Sequence, residues 1–235
     1  YNYASTTVEI TILKAFAELV EGVVSEYTYS GANQDITLAN SGISLNHTES
    51  DLVFSENTFK DVPASGIHTV TLTAAESDNY LGLNTTYDFN INKYGVSITV
   101  DSKETVYGTP VEELTWSLNG SLLGIDTQDC LGIVLSTLAQ NGSNADTYAI
   151  NVTQNSVNYI VTFNSASYVI TKATANIEIV GDWTFTYDGT EQTIEVGANL
   201  NHGETTLVYS DNTFRDVPAS GKQTVSITAA ATQNY

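Results

Sequence analysis

The chain has 235 residues and a net charge of −20, with 27 acidic against 7 basic side chains. Such an acid excess repels nucleic-acid phosphates and anionic membrane surfaces, which removes both from the list of partners. No stretch is long and apolar enough to insert in a bilayer, and the single cysteine, Cys130, allows no internal disulfide.

Taken in chain order, the predicted elements are almost all strands. VEITIL, SEYTYS, HTVTLTA, YDFNIN, VSITVD, TYAINVT, YIVTF, NIEIV, WTFTYDG and KQTVSIT place an apolar or β-branched residue at every second position. That is the pattern of half-buried strands. Glycines at 31, 66, 108, 120, 142, 189 and 221, with Asn and Asp nearby, mark the turns between them. KAFAELVEGV, from residue 14, has helical character, but its counterpart KATANIEIVGD is strand-like, so both are read as strands. SLLGIDTQDCLG has room for one short helical turn. Cys130, in the apolar run CLGIVLSTL, reads as a small buried residue.

The chain also repeats itself. Residues 51–80, DLVFSENTFKDVPASGIHTVTLTAAESDNY, return at 206–235 as TLVYSDNTFRDVPASGKQTVSITAAATQNY. Lys14, Lys93 and Lys172 close strand-like runs at equal intervals. Self-similarity of this kind sets the architecture, here units of roughly 80 residues, each able to bury a modest core. The segmentation is 1–14, an orphan closing strand; 15–93, a first β-domain; 94–172, a second; and 173–235, a third without its closing strand. Linkers are nearly absent, since NINKYGVSITV runs from one strand into the next. The fold class is all-β, a tandem of small antiparallel β-sandwiches of immunoglobulin-like type, with β-grasp topology the alternative.

A sheet lacking a strand offers unpaired backbone groups and an open apolar groove. Residues 6–13, TTVEITIL, put Val8, Ile10 and Ile12 on one face and Thr7, Glu9 and Thr11 on the other. Two readings stand. Residues 1–13 of one copy complete the 173–235 domain of the next by strand complementation. Alternatively, the missing strand follows Tyr235 in a longer covalent array.

VYGTPVEELTWSLNGSLLGIDTQDC, with NADTYAINV, NYIVTF and SYVITKA, resembles the MBG domain of the YGX type over residues 94–172. Tyr107-Gly108 is the signature and Thr147-Tyr148-Ala149-Ile150 the second landmark. The flanking units, with FTYDGTEQTI, DVPASG and a later DNY or QNY, resemble the plain MBG domain. The resemblance implies a stalk or adhesive role in secreted or cell-surface proteins of bacteria, and it supplies no catalytic residues.

Chemistry is sparse. No nucleophile, zinc or phosphate-loop motif occurs, so no enzyme activity is expected. His47, His68 and His202 form no cluster in sequence, and His68 aligns with Gln223. Asp61 and Asp216, each before Val-Pro, read as turn-ordering acids. No cofactor is called for; Ca²⁺ would suit the loop acids Glu56, Asp61, Asp211 and Asp216, but Lys60 and Arg215 sit beside them as counter-ions and no dense ligand array occurs. Asn46, Asn84, Asn119, Asn141 and Asn151 begin candidate glycosylation sequons. Tyr1, Tyr3, Tyr27, Tyr29, Trp183, Phe185 and Tyr187 are candidates for a glycan platform. Recurrence of several in both copies, and the setting of Trp116 and Trp183, favours core packing. The expected role is that of an extracellular stalk or filament subunit whose partner is itself, head to tail. An adhesin fragment binding glycan or a matrix surface is the alternative.

Overall fold

A computed structural model describes residues 1–23, 26–195 and 197–235. The expected strand SEYTYS begins at Ser25, outside the described residues; its Tyr27–Thr28 part is a strand. Strand makes up 41% of the chain and helix 3%, so the fold is all-β, of small sandwich-like sheets. The chain forms two compact units. One comprises Tyr1–Val100, Trp116–Val134 and Val152–Asn164, the other Asp101–Thr115, Leu135–Asn151 and Ser165–Tyr235.

In the first unit, a four-stranded sheet runs in the order Tyr27–Thr28, Leu83–Asn92, Ile67–Ala74, Leu52–Ser55. Alternation decides its faces: Val70, Leu72, Phe89 and Ile91 point into the core, while Thr69, Asp88 and Asn90 do not. The Tyr27 ring meets Phe59 and Phe89 edge-on, each at 5.8 Å between centroids. Tyr94–Val100 follows after Lys93 alone and pairs with Trp116–Asn119 and Tyr159–Phe163. In the second unit, one sheet has the order Lys103–Val106, Ala166–Thr171, Asp146–Thr153, Val134–Thr137. Beyond residue 172 its described residues form only two-stranded pairs, among them Leu207–Ser210 with Ser226–Ala229.

Alongside the antiparallel pairs, the described residues form four parallel ones: Ala15–Phe16 with Tyr80–Leu81, Tyr27–Thr28 with Leu83–Asn92, Tyr94–Val100 with Tyr159–Phe163, and Lys103–Val106 with Ala166–Thr171. Parallel neighbours need a long crossover, and here most of a repeat supplies it. In each of the first two repeats the first strand therefore runs parallel beside the penultimate one, and a later strand runs parallel beside the last.

Several local expectations meet the structure directly. KAFAELVEGV does form strands, Ala15–Phe16 and Leu19–Glu21. The short helical turn is the 3-10 helix Gln128–Leu131. Cys130, expected to be buried, is exposed; in that turn Leu131 takes the inward position and is fully buried. A second helical turn, Leu38–Ser41, was not expected. Trp116 and Trp183 are half-buried rather than full core residues. Residues 1–14 make no paired strand, and Val8, Ile10 and Ile12 are exposed.

Candidate functional site

The recurring feature is a junction built around each register lysine. In the first unit, Lys93 Nζ donates to Ser156 O at 2.6 Å, and Tyr94 N–H to Asn158 O at 2.9 Å. Ser156 Oγ accepts from Tyr159 N–H at 3.1 Å and donates to Cys130 O at 2.7 Å. The second unit has the same arrangement: Lys172 Nζ donates to Thr232 O, Ala173 N–H to Asn234 O at 2.8 Å, and Tyr235 N–H to Thr232 Oγ1 at 3.1 Å. The sequences that do this, SVNY and TQNY, have the pattern Ser/Thr-x-Asn-Tyr.

The asparagine of that pattern reaches into the preceding repeat. Asn158 Oδ1 accepts from Val62 N–H at 2.9 Å, and its Nδ2 donates to Asp61 Oδ1 at 2.8 Å. Asn234 Oδ1 accepts from Ala145 N–H at 2.8 Å, and its Nδ2 donates to Asn144 Oδ1 at 3.2 Å. Asp61-Val62 and Asn144-Ala145 thus hold the same position in their repeats. Asp61, expected to order a turn, anchors the junction through Asn158 rather than through Lys60.

The tyrosine of the pattern packs edge-on against the Tyr-Gly tyrosine of the preceding repeat. Tyr29 and Tyr159 lie 5.4 Å apart at 75°, Tyr107 and Tyr235 5.6 Å apart at 77°. Both Tyr29 and Tyr159 hydroxyls donate to Asp126 Oδ2, at 2.6 and 2.7 Å. Burial, with the Asp126 hydrogen bond second, raises the Tyr29 pKa and pushes Tyr159 up to about 12. Gly31 has φ +79°, and a Cβ there would sit 2.9 Å from the Leu123 backbone. The glycine of Tyr-Ser-Gly thus admits the loop that carries Asp126.

Behind each outer junction lies an Asn-His-x-Glu loop. His47 stacks on Tyr80 at 3.9 Å, and His202 on Tyr235 at 3.8 Å. Glu49 accepts from Ser77 Oγ and from the backbone and side chain of Asn79; Glu204 accepts from Thr232 and Asn234. These donors hold both carboxyls below the ordinary glutamate pKa, Asn79 first for Glu49 and Thr232 first for Glu204. His68 Nε2 meets Glu56 O at 2.8 Å as Gln223 Nε2 meets Asp211 O at 3.1 Å, so the aligned pair has a shared structural task.

The other candidates separate. Asn46 uses both ends of its amide on Glu18 N–H and Phe16 O. Asn201, which begins no sequon, makes the same two bonds with Asn176 and Thr174. Asn46 is therefore held as a loop anchor. Asn141 Oδ1 accepts from Val111 N–H and Asn119 Oδ1 from Thr99 Oγ1; Asn84 and Asn151 lie exposed on strands. Among the described residues, no group of three or more His, Cys, Asp or Glu side chains is placed to hold a metal ion. Tyr27 and Tyr29 are core residues, whereas Tyr1, Tyr3, Phe185 and Tyr187 are exposed.

Phe185 and Tyr187 border a groove of about 470 Å³ in the 173–235 segment, with Ile194, Phe214, Val225 and Ile227. Their counterparts in the first repeat, Tyr27, Tyr29, Ile36, Phe59, Val70 and Leu72, are all buried. The first repeat has the strand Leu83–Asn92 beside Ile67–Ala74. Among the described residues, Ser226–Ala229 pairs only with Leu207–Ser210.

No helix among the described residues is long and apolar enough to cross a membrane. Comparison with curated proteins and with solved structures returned no match. Residues 96–169 match the family model of the MBG domain (YGX type), so the stretch that carries Tyr107-Gly108 and both inner junction anchors, Asn144 and Asn158, is similar to that domain.

Proposed function

We propose that this chain is a non-catalytic structural component of an extracellular or cell-surface array, in which β-repeats join end to end. Residues 1–13 of one copy complete the 173–235 repeat of the next. The observation that carries this reading is the groove between Phe185, Phe214 and Ile227, set beside a segment of matching pattern. TTVEITILK aligns with TTYDFNINK, placing Ile10 at the position of Phe89 and Ile12 at that of Ile91. Phe89 and Ile91 are buried, Ile10 and Ile12 exposed. Burying Val8, Ile10 and Ile12 stabilises the joined form by about 1.5–3 kcal/mol each, and the added strand satisfies the open edge of Ser226–Ala229. Surface display is supported by the MBG-type match.

Sedimentation over a concentration series tests the reading. The whole chain self-associates; a chain lacking residues 1–13 does not. Appending a copy of residues 81–93 after Tyr235 fills the groove in cis and also abolishes association. A whole chain that stays monomeric at every concentration contradicts it. Exposed Phe185 and Tyr187 favour a second reading, an aromatic platform for glycan; its signature is oligosaccharide binding that survives loss of residues 1–13 and disappears in Phe185→Ala/Tyr187→Ala.

A further inference from the structure

Among the described residues, two halves of the junction face no counterpart. On the first repeat, the Ser/Thr-x-Asn-Tyr side is already assembled: Lys14 Nζ donates to Ser77 O at 2.6 Å, Ala15 N–H to Asn79 O at 2.8 Å, and Tyr80 N–H to Ser77 Oγ at 3.1 Å. Asn79 is exposed, whereas Asn234, its engaged counterpart, is buried. On the last repeat, the receiving side is present and uncovered: Asp216 and Val217 stand where Asp61 and Val62 do, and Tyr187 where Tyr29 does. Val62 is 4% exposed and Val217 67%; Tyr29 is 2% exposed and Tyr187 57%.

We infer that Asn79 and Tyr80 of one copy dock on Asp216, Val217 and Tyr187 of a second copy of this chain, forming the junction already seen around Asn158 and Asn234. The inference rests on the end-to-end reading above and names the residues that orient the joined copies. Asn79 Oδ1 takes the Val217 N–H, its Nδ2 donates to Asp216, and Tyr80 packs edge-on against Tyr187. Chain continuity favours the second copy as occupant. Lys93 alone separates the strand Leu83–Asn92, which closes the first repeat, from Tyr94–Val100. Lys14 likewise directly follows residues 6–13, so a copy whose strand lies in the groove brings Asn79 to Val217.

The test is sedimentation of the whole chain carrying single substitutions. Asp216→Ala removes the acceptor of the Asn79 amide at an exposed position and weakens association about tenfold, the effect of losing one such hydrogen bond. Asp216→Asn retains association, because Asn144 performs that task for Asn234. Asn79→Ala weakens association at least as much as Asp216→Ala, and the exposed Asn84→Ala has no effect. If removing residues 1–13 abolishes association while Asp216→Ala and Asn79→Ala leave it unchanged, the end-to-end reading stands and the docking residues are overturned. If Asp216→Asn weakens it as much as Asp216→Ala, charge rather than the acceptor is responsible and the inference fails. If the intact chain never associates, both fall together. A chain bearing the appended residues 81–93 that still associates through Asp216 shows that docking outlasts strand donation and supports the inference alone.

Discussion

The first and last repeats carry nearly the same sequence from Leu52 and Leu207 through the Asn-Tyr endings, yet their side chains live in different surroundings. Phe59 is buried and Phe214 half-buried; Val62 is covered and Val217 is not. Nothing in the shared residues accounts for this. The difference comes from outside them: the strand Leu83–Asn92 supplies Phe89 and Ile91 to the first repeat, and Asn158 and Tyr159 cover its far end. Burial in this chain is conferred by a neighbour, which is the behaviour of quasi-one-dimensional repeat proteins.

The comparison can be broken by making the first repeat resemble the last. The largest effect is expected from Phe89→Ala, which empties the centre of the closing strand. Loss of a buried phenylalanine costs about 3–5 kcal/mol, read by chemical denaturation. Tyr27 and Phe59 should then become as accessible as Phe185 and Phe214. Asn158→Ala acts at the other end. It strands the Val62 N–H, a penalty of about 1–3 kcal/mol, and hydrogen exchange at Val62 should accelerate towards the rate at Val217.

Gly31 and Gly189 sharpen the comparison because their φ angles match, +79° and +78°. Alanine at Gly189 meets only the left-handed backbone penalty of about 1–2 kcal/mol, since its nearest neighbour is the Tyr187 hydroxyl at 3.9 Å. Alanine at Gly31 meets that penalty and a Cβ placed 2.9 Å from the Leu123 backbone, so Gly31→Ala should lower the melting temperature more than Gly189→Ala.

The smallest effect is one of pH. Tyr29 and Tyr159 have pKa values raised above the ordinary 10. Their contribution is complete below pH 10, where both folded and unfolded forms hold the proton. It is lost as pH rises from there through about 12, because the unfolded chain ionises first. Exchange at Val62 should rise over that window. Glu49 and Glu204 act in the opposite sense: their lowered pKa values contribute above the ordinary 4.5 and fade as pH falls below it.

Much of this was legible in the sequence for a physical reason. Period-two alternation reports which residues face a core, and equal lysine spacing reports the repeat. Alternation says nothing about which strand lies alongside, so the parallel pairing of Tyr94–Val100 with Tyr159–Phe163 was out of reach. Cys130 was misread because hydrophobicity of a run does not say which residue of a 3-10 turn faces inward; Leu131 does. The helical turn at Leu38–Ser41 had local signals, Thr37 before it and Gly42 with φ +71° after it, on too short a span to stand out. The junction asparagines also had a signal, Asn-Tyr recurring at 79, 158 and 234. Their partners, Val62 and Ala145, lie far away along the chain, so the sequence showed the recurrence and not its purpose.

The most direct measurement is hydrogen exchange at low and high protein concentration, followed at residues 6–13 and at Ser226–Ala229 together. If one copy completes the next, residues 6–13 and those amides of Ser226–Ala229 that face away from Leu207–Ser210 exchange freely when dilute and gain protection in parallel as concentration rises. Exchange at those amides that stays fast at every concentration, while residues 6–13 also remain unprotected, would contradict the account.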